Sequence, residues 1–185
     1  MKEIEYKFLI NILPKQIYDK KTKKIEITQY YFQKNDVIIY LKKLNLSNEQ
    51  IKKIKSVRIR IEKYDKKNKY ILNAKSAGNL VRDEYEIEIT KSDFDVLLKN
   101  KTIGKINKTR YKIKQQSYVF EFDEYHDNLE GLKTCEIEVE NIKSQYFEIK
   151  NILTKNFELE IIDITTDQKY KNMNLSKEII YENNW

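Results

Sequence analysis

A chain of 185 residues suffices for one substantial core, and its 12% aromatic content, with 14 Tyr, excludes disorder despite 35% charged residues. Only 3 Gly and 1 Pro mark no linker, so residues 1–185 are expected to form a single domain, and the lone Cys135 excludes an internal disulfide. A net charge of +7 favours anionic ligands, while the lack of any long apolar run or leader-like segment sets the expectation of a cytoplasmic protein away from membranes.

Alternation dominates the chain. Residues 3–10, EIEYKFLI, predict a strand with Glu3, Glu5 and Lys7 on one face and Ile4, Tyr6, Phe8 and Ile10 on the other. A weak helix signal follows Pro14, and IEITQYYF (25–32) then sets Ile25, Ile27, Gln29 and Tyr31 on one face. Residues 34–55 hold DVIIYL, read as an added strand or part of a lid, and a helix opening at Ser47 with Gln50 in capping-box position. Two further strands, 56–64 and 69–76, flank a turn at KKNK (66–69); they set Arg58, Arg60 and Glu62, then Asn73 and Lys75, on one side. The strand at 82–89 carries Arg82, Glu84, Glu86 and Glu88 on one face, and a helix is expected from Ser92 with Asp95 three residues on. Three more strands follow: 106–114 with Lys108, Arg110 and Lys112, 118–125 with Glu121 and Asp123, and 134–140 with Glu136, Glu138 and Glu140. A helix over 143–157 completes the pattern.

Eight strands with one apolar face each could form a sandwich with its charges outside. The helices argue otherwise, because their apolar stripes need a surface, and the apolar face of the sheet is the one available. Closing the sheet with the charged face inward predicts an α+β fold, an eight-stranded antiparallel barrel with helices packed outside. Buried charges need partners or metal, and here the lumen would hold both signs. A phosphate chain carrying a divalent metal satisfies both sets: Arg and Lys take phosphate oxygens, and carboxylates take the hard cation.

Glu3-x-Glu5-x-Lys7 resembles the ExExK signature of the CYTH superfamily, the triphosphate tunnel metalloenzymes. VRIR (57–60), RDEYE (82–86), KTR (108–110), EFD (121–123), LEGL (129–132), CEIEVE (135–140) and the tail DITTDQKYKNMNLS (163–176) follow in the order of small bacterial members. The resemblance implies a tunnel for triphosphate-containing small molecules with Mg²⁺ or Mn²⁺. It implies metal carboxylates at Glu3, Glu5, Asp123, Glu136 and Glu138, and phosphate-binding bases at Lys7, Arg58, Arg60, Lys75, Arg82, Lys108 and Arg110. Glu84, Glu86 and Glu121 would bind metal or orient bases, and Lys7 with Tyr31 would form a water-activating pair. The departures are the long 34–55 segment, Tyr30 where Gly is expected, and Lys169 where Arg is commoner.

The implied activity is metal-dependent hydrolysis of the terminal phosphoryl group of a linear triphosphate, with inorganic tripolyphosphate first. Alternatives are hydrolysis of ATP, thiamine triphosphate or an RNA 5′-triphosphate, a class IV adenylate cyclase, or a non-catalytic polyphosphate-binding module. Because bases alternate with acids, nucleic acid is not expected as a partner except through a 5′-triphosphate end. The resemblance also allows a homodimer. His126 reads as a surface residue, Cys135 as a small core hydrophobe, and Trp185 as exposed or docked outside the barrel.

Overall fold

The computed structural model describes residues 2–140 and 145–177. Nine strands form the frame: β1 (Lys2–Ile10), β2 (Lys23–Phe32), β3 (Ile54–Tyr64), β4 (Lys67–Ser76), β5 (Val81–Glu88), β6 (Thr102–Gln115), β7 (Tyr118–Tyr125), β8 (Lys133–Glu138) and β9 (Ile161–Asp163). Every pairing is antiparallel, in the order β5-β4-β3-β2-β6-β7-β8-β1, and β1 returns to β5 to close eight strands into a barrel. The ninth strand lies outside this ring.

Closure is short. Lys2–Ile4 pair with Val81–Asp83, and further along the same edge of β1 the partner becomes β9, through Phe8–Ile10. Between them, Glu5 N–H donates to Leu80 O, Lys7 N–H donates to Thr165 Oγ1, and Ile164 N–H donates to Lys7 O. A loop and a tail therefore satisfy the backbone where no strand does.

The apolar faces lie outside the barrel wall and are covered there. α1 (Ile38–Leu41), α2 (Asn48–Lys53) and α3 (Lys91–Leu97) pack Leu41, Ile51, Phe94 and Leu97 against Val57, Ile59, Leu72 and Ala74. α4 (Tyr146–Asn151) and a π-helical turn at Ile152–Asn156 lay Ile149, Ile152, Leu153 and Phe157 over Phe8, Phe120, Phe122, Cys135 and Ile137. Cys135 is thus a core side chain, as expected, and His126 is exposed. α5 (Asn172–Leu175) sends Leu175 into a third cluster with Tyr31, Ile106 and Tyr125. Among the described residues, no helix is long and apolar enough to cross a membrane.

Local details differ from expectation. DVIIYL is helical: Val37 and Leu41 are buried four residues apart, a spacing that suits a helix and not a strand. The Ser47–Gln50 capping box forms, whereas α3 is capped by Thr90, whose side chain accepts from Asp93 N–H, and not by Ser92. The segment after Pro14 makes a short 3₁₀ turn, Lys15–Tyr18. The β3–β4 hairpin turns at Asp65 and Lys66, both with positive φ (48° and 62°), one step before the expected KKNK. Trp185 and the start of the 143–157 helix lie outside the described residues.

Candidate active site

Closing the sheet with its charged faces inward brings the charged rows of eight strands around one passage. Two adjoining cavities occupy it, of about 690 Å³ and 500 Å³, and Glu5, Arg58, Lys75, Arg82, Glu136 and Asn172 line both. One mouth is bordered by Lys43, Asn45, Glu86 and Lys112, the other by Gly78, Asn79, Gln168 and Lys171. Of the residues singled out in the sequence, Glu3, Glu5, Lys7, Tyr31, Arg58, Arg60, Lys75, Arg82, Lys108, Arg110, Glu136 and Glu138 all line this passage. Asp123 does not: it is fully buried behind the bases.

The charges form connected groups. Lys75 Nζ lies 2.8 and 3.0 Å from the two oxygens of Glu3 and 3.1 Å from Glu84. Arg82 Nε donates to Glu3 at 2.7 Å and its Nη2 reaches Glu5 at 3.4 Å. Across the lumen, Arg110 grips Asp123 through two bonds of 2.6 Å and also contacts Glu121 and Glu136, while Lys108 takes the same Asp123. Asp123 is therefore an anchor for two bases; its place behind the lumen wall, and not the occupation of its oxygens, which Glu3 shares, sets it apart from the metal role read for it in the sequence. Arg60 bridges Glu62 and Glu86. Arg58 is held more loosely: Tyr31 is its hydrogen-bond partner, Glu84 stands 4.0 Å away, and its buried Nε has no partner among the described residues. A buried guanidinium with a spare donor suits an anionic guest.

Lys7 Nζ donates to Glu136 at 2.9 Å, to Tyr170 O at 2.9 Å and to Asn172 Oδ1 at 3.2 Å, with the Tyr125 hydroxyl at 3.4 Å. Burial works against its charge, yet Glu136 and its hydrogen bond hold Lys7 protonated well above the ordinary range. Lys7 is thus a fixed cation and not a base. The Tyr31 hydroxyl instead accepts from Gln29 Nε2 at 2.8 Å. The phenol beside Lys7 is Tyr125, two residues beyond Asp123 on the inward alternation of β7. That parity was legible, but Tyr125 carries no charge to draw the eye.

Glu3, Glu84 and Glu138 each offer an oxygen, and all lie within 4.8 Å of one another. Such a trio of hard oxygens fits Mg²⁺ or Mn²⁺. Desolvation and then the neighbouring carboxylates Glu3, Glu121 and Glu84 raise the Glu138 pKa. Glu5 is pushed up to about 7, by burial first and Glu136 second. Glu84 is held at about 2, since Lys75 and Arg58 outweigh its burial. Glu84 therefore takes a place in the carboxylate corner beside Glu3 and Glu138, the role the sequence left open between metal and base.

A closed antiparallel barrel lined by rows of bases and a carboxylate corner defines a polyanion tunnel. The chain belongs to the CYTH domain family, whose model matches residues 1–170. It is 29% identical to an inorganic triphosphatase from Nitrosomonas europaea over 111 residues, 60% of this chain and 70% of that protein. Among solved structures it is similar to the inorganic triphosphatase NE1496, with 24% identity, a TM-score of 0.56 and coverage of 96% of this chain and 95% of that one. It also resembles the Pyrococcus horikoshii protein PH1819, at 23% identity and a TM-score of 0.52 over 85% of this chain and 93% of that chain. HpAC1 from Hippeastrum, studied as an adenylyl cyclase and described as having a dominant triphosphatase activity, aligns at 17% identity and a TM-score of 0.53, covering 85% and 90%.

Proposed function

We propose that this protein hydrolyses the terminal phosphoryl group of a linear triphosphate, inorganic tripolyphosphate first, with Mg²⁺ or Mn²⁺. The observation that carries the reading is the pairing of Arg58, a buried guanidinium with an unpartnered Nε, with the Glu3–Glu84–Glu138 corner, whose Glu84 stands 4.0 Å from it. The triphosphatase relative agrees with it. Arg58, Arg60, Lys108 and Arg110 hold the phosphate chain along the tunnel, and Lys7 faces the reacting group as a permanent cation. Glu3, Glu84 and Glu138 would hold a divalent ion, which would supply charge neutralisation and polarise a phosphoryl oxygen. Water bonds to the terminal phosphorus, the bond to the bridging oxygen breaks, and diphosphate and orthophosphate leave. Such a transition state is loose, so the side chains act mainly by position and charge and no strong base is required.

The mouth near Leu44, Tyr85 and Ile87 offers an apolar ledge beside the charged wall, and this favours an organic triphosphate as the second reading. Phosphate release from tripolyphosphate, ATP and thiamine triphosphate, with Mg²⁺ or Mn²⁺, separates the two. The Glu138→Gln variant is expected to lose about 100-fold or more in rate. Metal-dependent release unchanged in that variant, or no release from any substrate, overturns the proposal.

A further inference from the structure

We infer that Tyr125 and Asn172 are positioning residues that aim the Lys7 ammonium at the reacting phosphate; the inference rests on the hydrolase reading above. An ammonium has three protons to donate. In this structure Glu136, the Tyr170 carbonyl and the Asn172 side-chain oxygen receive them. These partners differ in kind. Glu136 is a charged group facing the lumen, lining both cavities. Tyr170 O and Asn172 Oδ1 are neutral acceptors contributed by the tail at one mouth. Neutral acceptors fix a cation in space without cancelling its charge. When a phosphate oxygen replaces Glu136, Lys7 keeps both its position and its full positive charge.

Asn172 is itself held. The Tyr125 hydroxyl donates to Asn172 Oδ1 at 2.7 Å, the shortest contact of the group, and lies 3.4 Å from Lys7 Nζ. The Tyr125 ring is buried with Tyr31 of β2, Ile106 of β6, Leu129 and Leu132 of the following turn and Leu175 of the tail, so its hydroxyl is a rigid post. Burial raises the phenol pKa well above its ordinary value, which keeps it a donor. The tail is tied down independently: Lys171 Nζ donates to Gly78 O at 2.7 Å and to Asn79 Oδ1 at 2.8 Å, and Gln168 Nε2 donates to Asn79 at 2.6 Å. Tyr125 therefore reads the tail's location and passes it to Lys7 through one shared oxygen.

The test compares wild type, Tyr125→Phe, Asn172→Ala and the double variant in steady-state hydrolysis of tripolyphosphate. Each single variant is expected to lose about 10- to 100-fold in kcat, with KM little changed and the melting temperature near wild type. The double variant should lose no more than the worse single, because the two act as one unit. Unchanged kcat in both singles, or losses that multiply in the double, overturns the inference. Should Tyr125→Phe fail to fold, Asn172→Ala carries the test alone, since its side chain is only half-buried. If wild type hydrolyses no triphosphate, the hydrolase reading fails separately. The clamp is then read from tripolyphosphate binding without metal, by calorimetry: weaker binding in both variants supports it, and equal affinity overturns it.

Discussion

Arg110 and Asp123 stand directly opposite each other across the β6–β7 ladder, and two parallel hydrogen bonds of 2.6 Å join guanidinium to carboxylate. Asp123 has no exposed surface, and Lys108 shares it. Removing the charge takes from buried Lys108 its carboxylate and from Arg110 its bidentate partner, leaving Arg110 only Glu121 and Glu136, so Asp123→Asn should cost about 3–5 kcal/mol of stability. Denaturant unfolding measures the loss. Mn²⁺ affinity, by calorimetry, should be unchanged if Asp123 anchors bases and binds no metal.

Arg58 gives the complementary case. Its buried Nε is unpartnered among the described residues, and its other neighbours are the Tyr31 hydroxyl and Glu84 at 4.0 Å, so one donor is left for a guest. Arg58→Lys keeps the charge and removes the planar fork. Tripolyphosphate binding without metal should weaken about 10-fold or more, with stability close to wild type. An affinity unchanged in calorimetry would place the phosphate elsewhere in the tunnel.

The pH dependence of the metal-free protein follows from Glu5. Its pKa of about 7 in the folded state lies above its ordinary 4.5, raised by burial and by Glu136. The folded protein thus binds this proton more tightly than the unfolded chain, and stability falls as pH rises from about 4.5 to 7. Glu138 adds a shift of the same sign, while Glu84, held at about 2, is ionised in the folded state throughout and opposes the decline only near the low end, where the unfolded carboxyl still titrates. The Glu5 contribution is at most about 3 kcal/mol. Thermal melts in chelator should show the decline, and Glu5→Gln should flatten it. A slope unaltered by that substitution would assign the effect to another group.

Gly104 ties β6 to the tail by proximity. A Cβ built there would lie 2.2 Å from Ser176 Oγ and 2.7 Å from Ser176 O, a distance no side chain tolerates. Gly104→Ala should cost about 1–3 kcal/mol and push α5 outward. Faster proteolysis of the tail, with the barrel intact, is the expected observation.

The strands were legible because every one separates a charged lumen from an apolar exterior, and a period of two survives any change of register partner. Even the inward-facing Glu84 and Arg82 followed from parity alone. Pairings across the lumen were not legible. Lys7 meets Tyr125 and not Tyr31, because strand order places β1 next to β8, with β7 the following strand and β2 on the opposite side of the ring. DVIIYL reads as an added strand or part of a lid because a short apolar run does not reveal its period, and it is helical, with Val37 and Leu41 buried four residues apart. Asn172 lies in a stretch without periodicity, where only the folded tail reveals its contact.

The seam at β1 bears on how the molecule comes to exist. Lys7 and Thr165, whose bond helps seal it, are 158 positions apart along the chain. Closing so long a stretch costs chain entropy that is recovered only when the ring is complete. In an open sheet the lumen charges would stay in water with their ions, so it is the meeting of β1 with β5, β9 and the tail that takes them out of it.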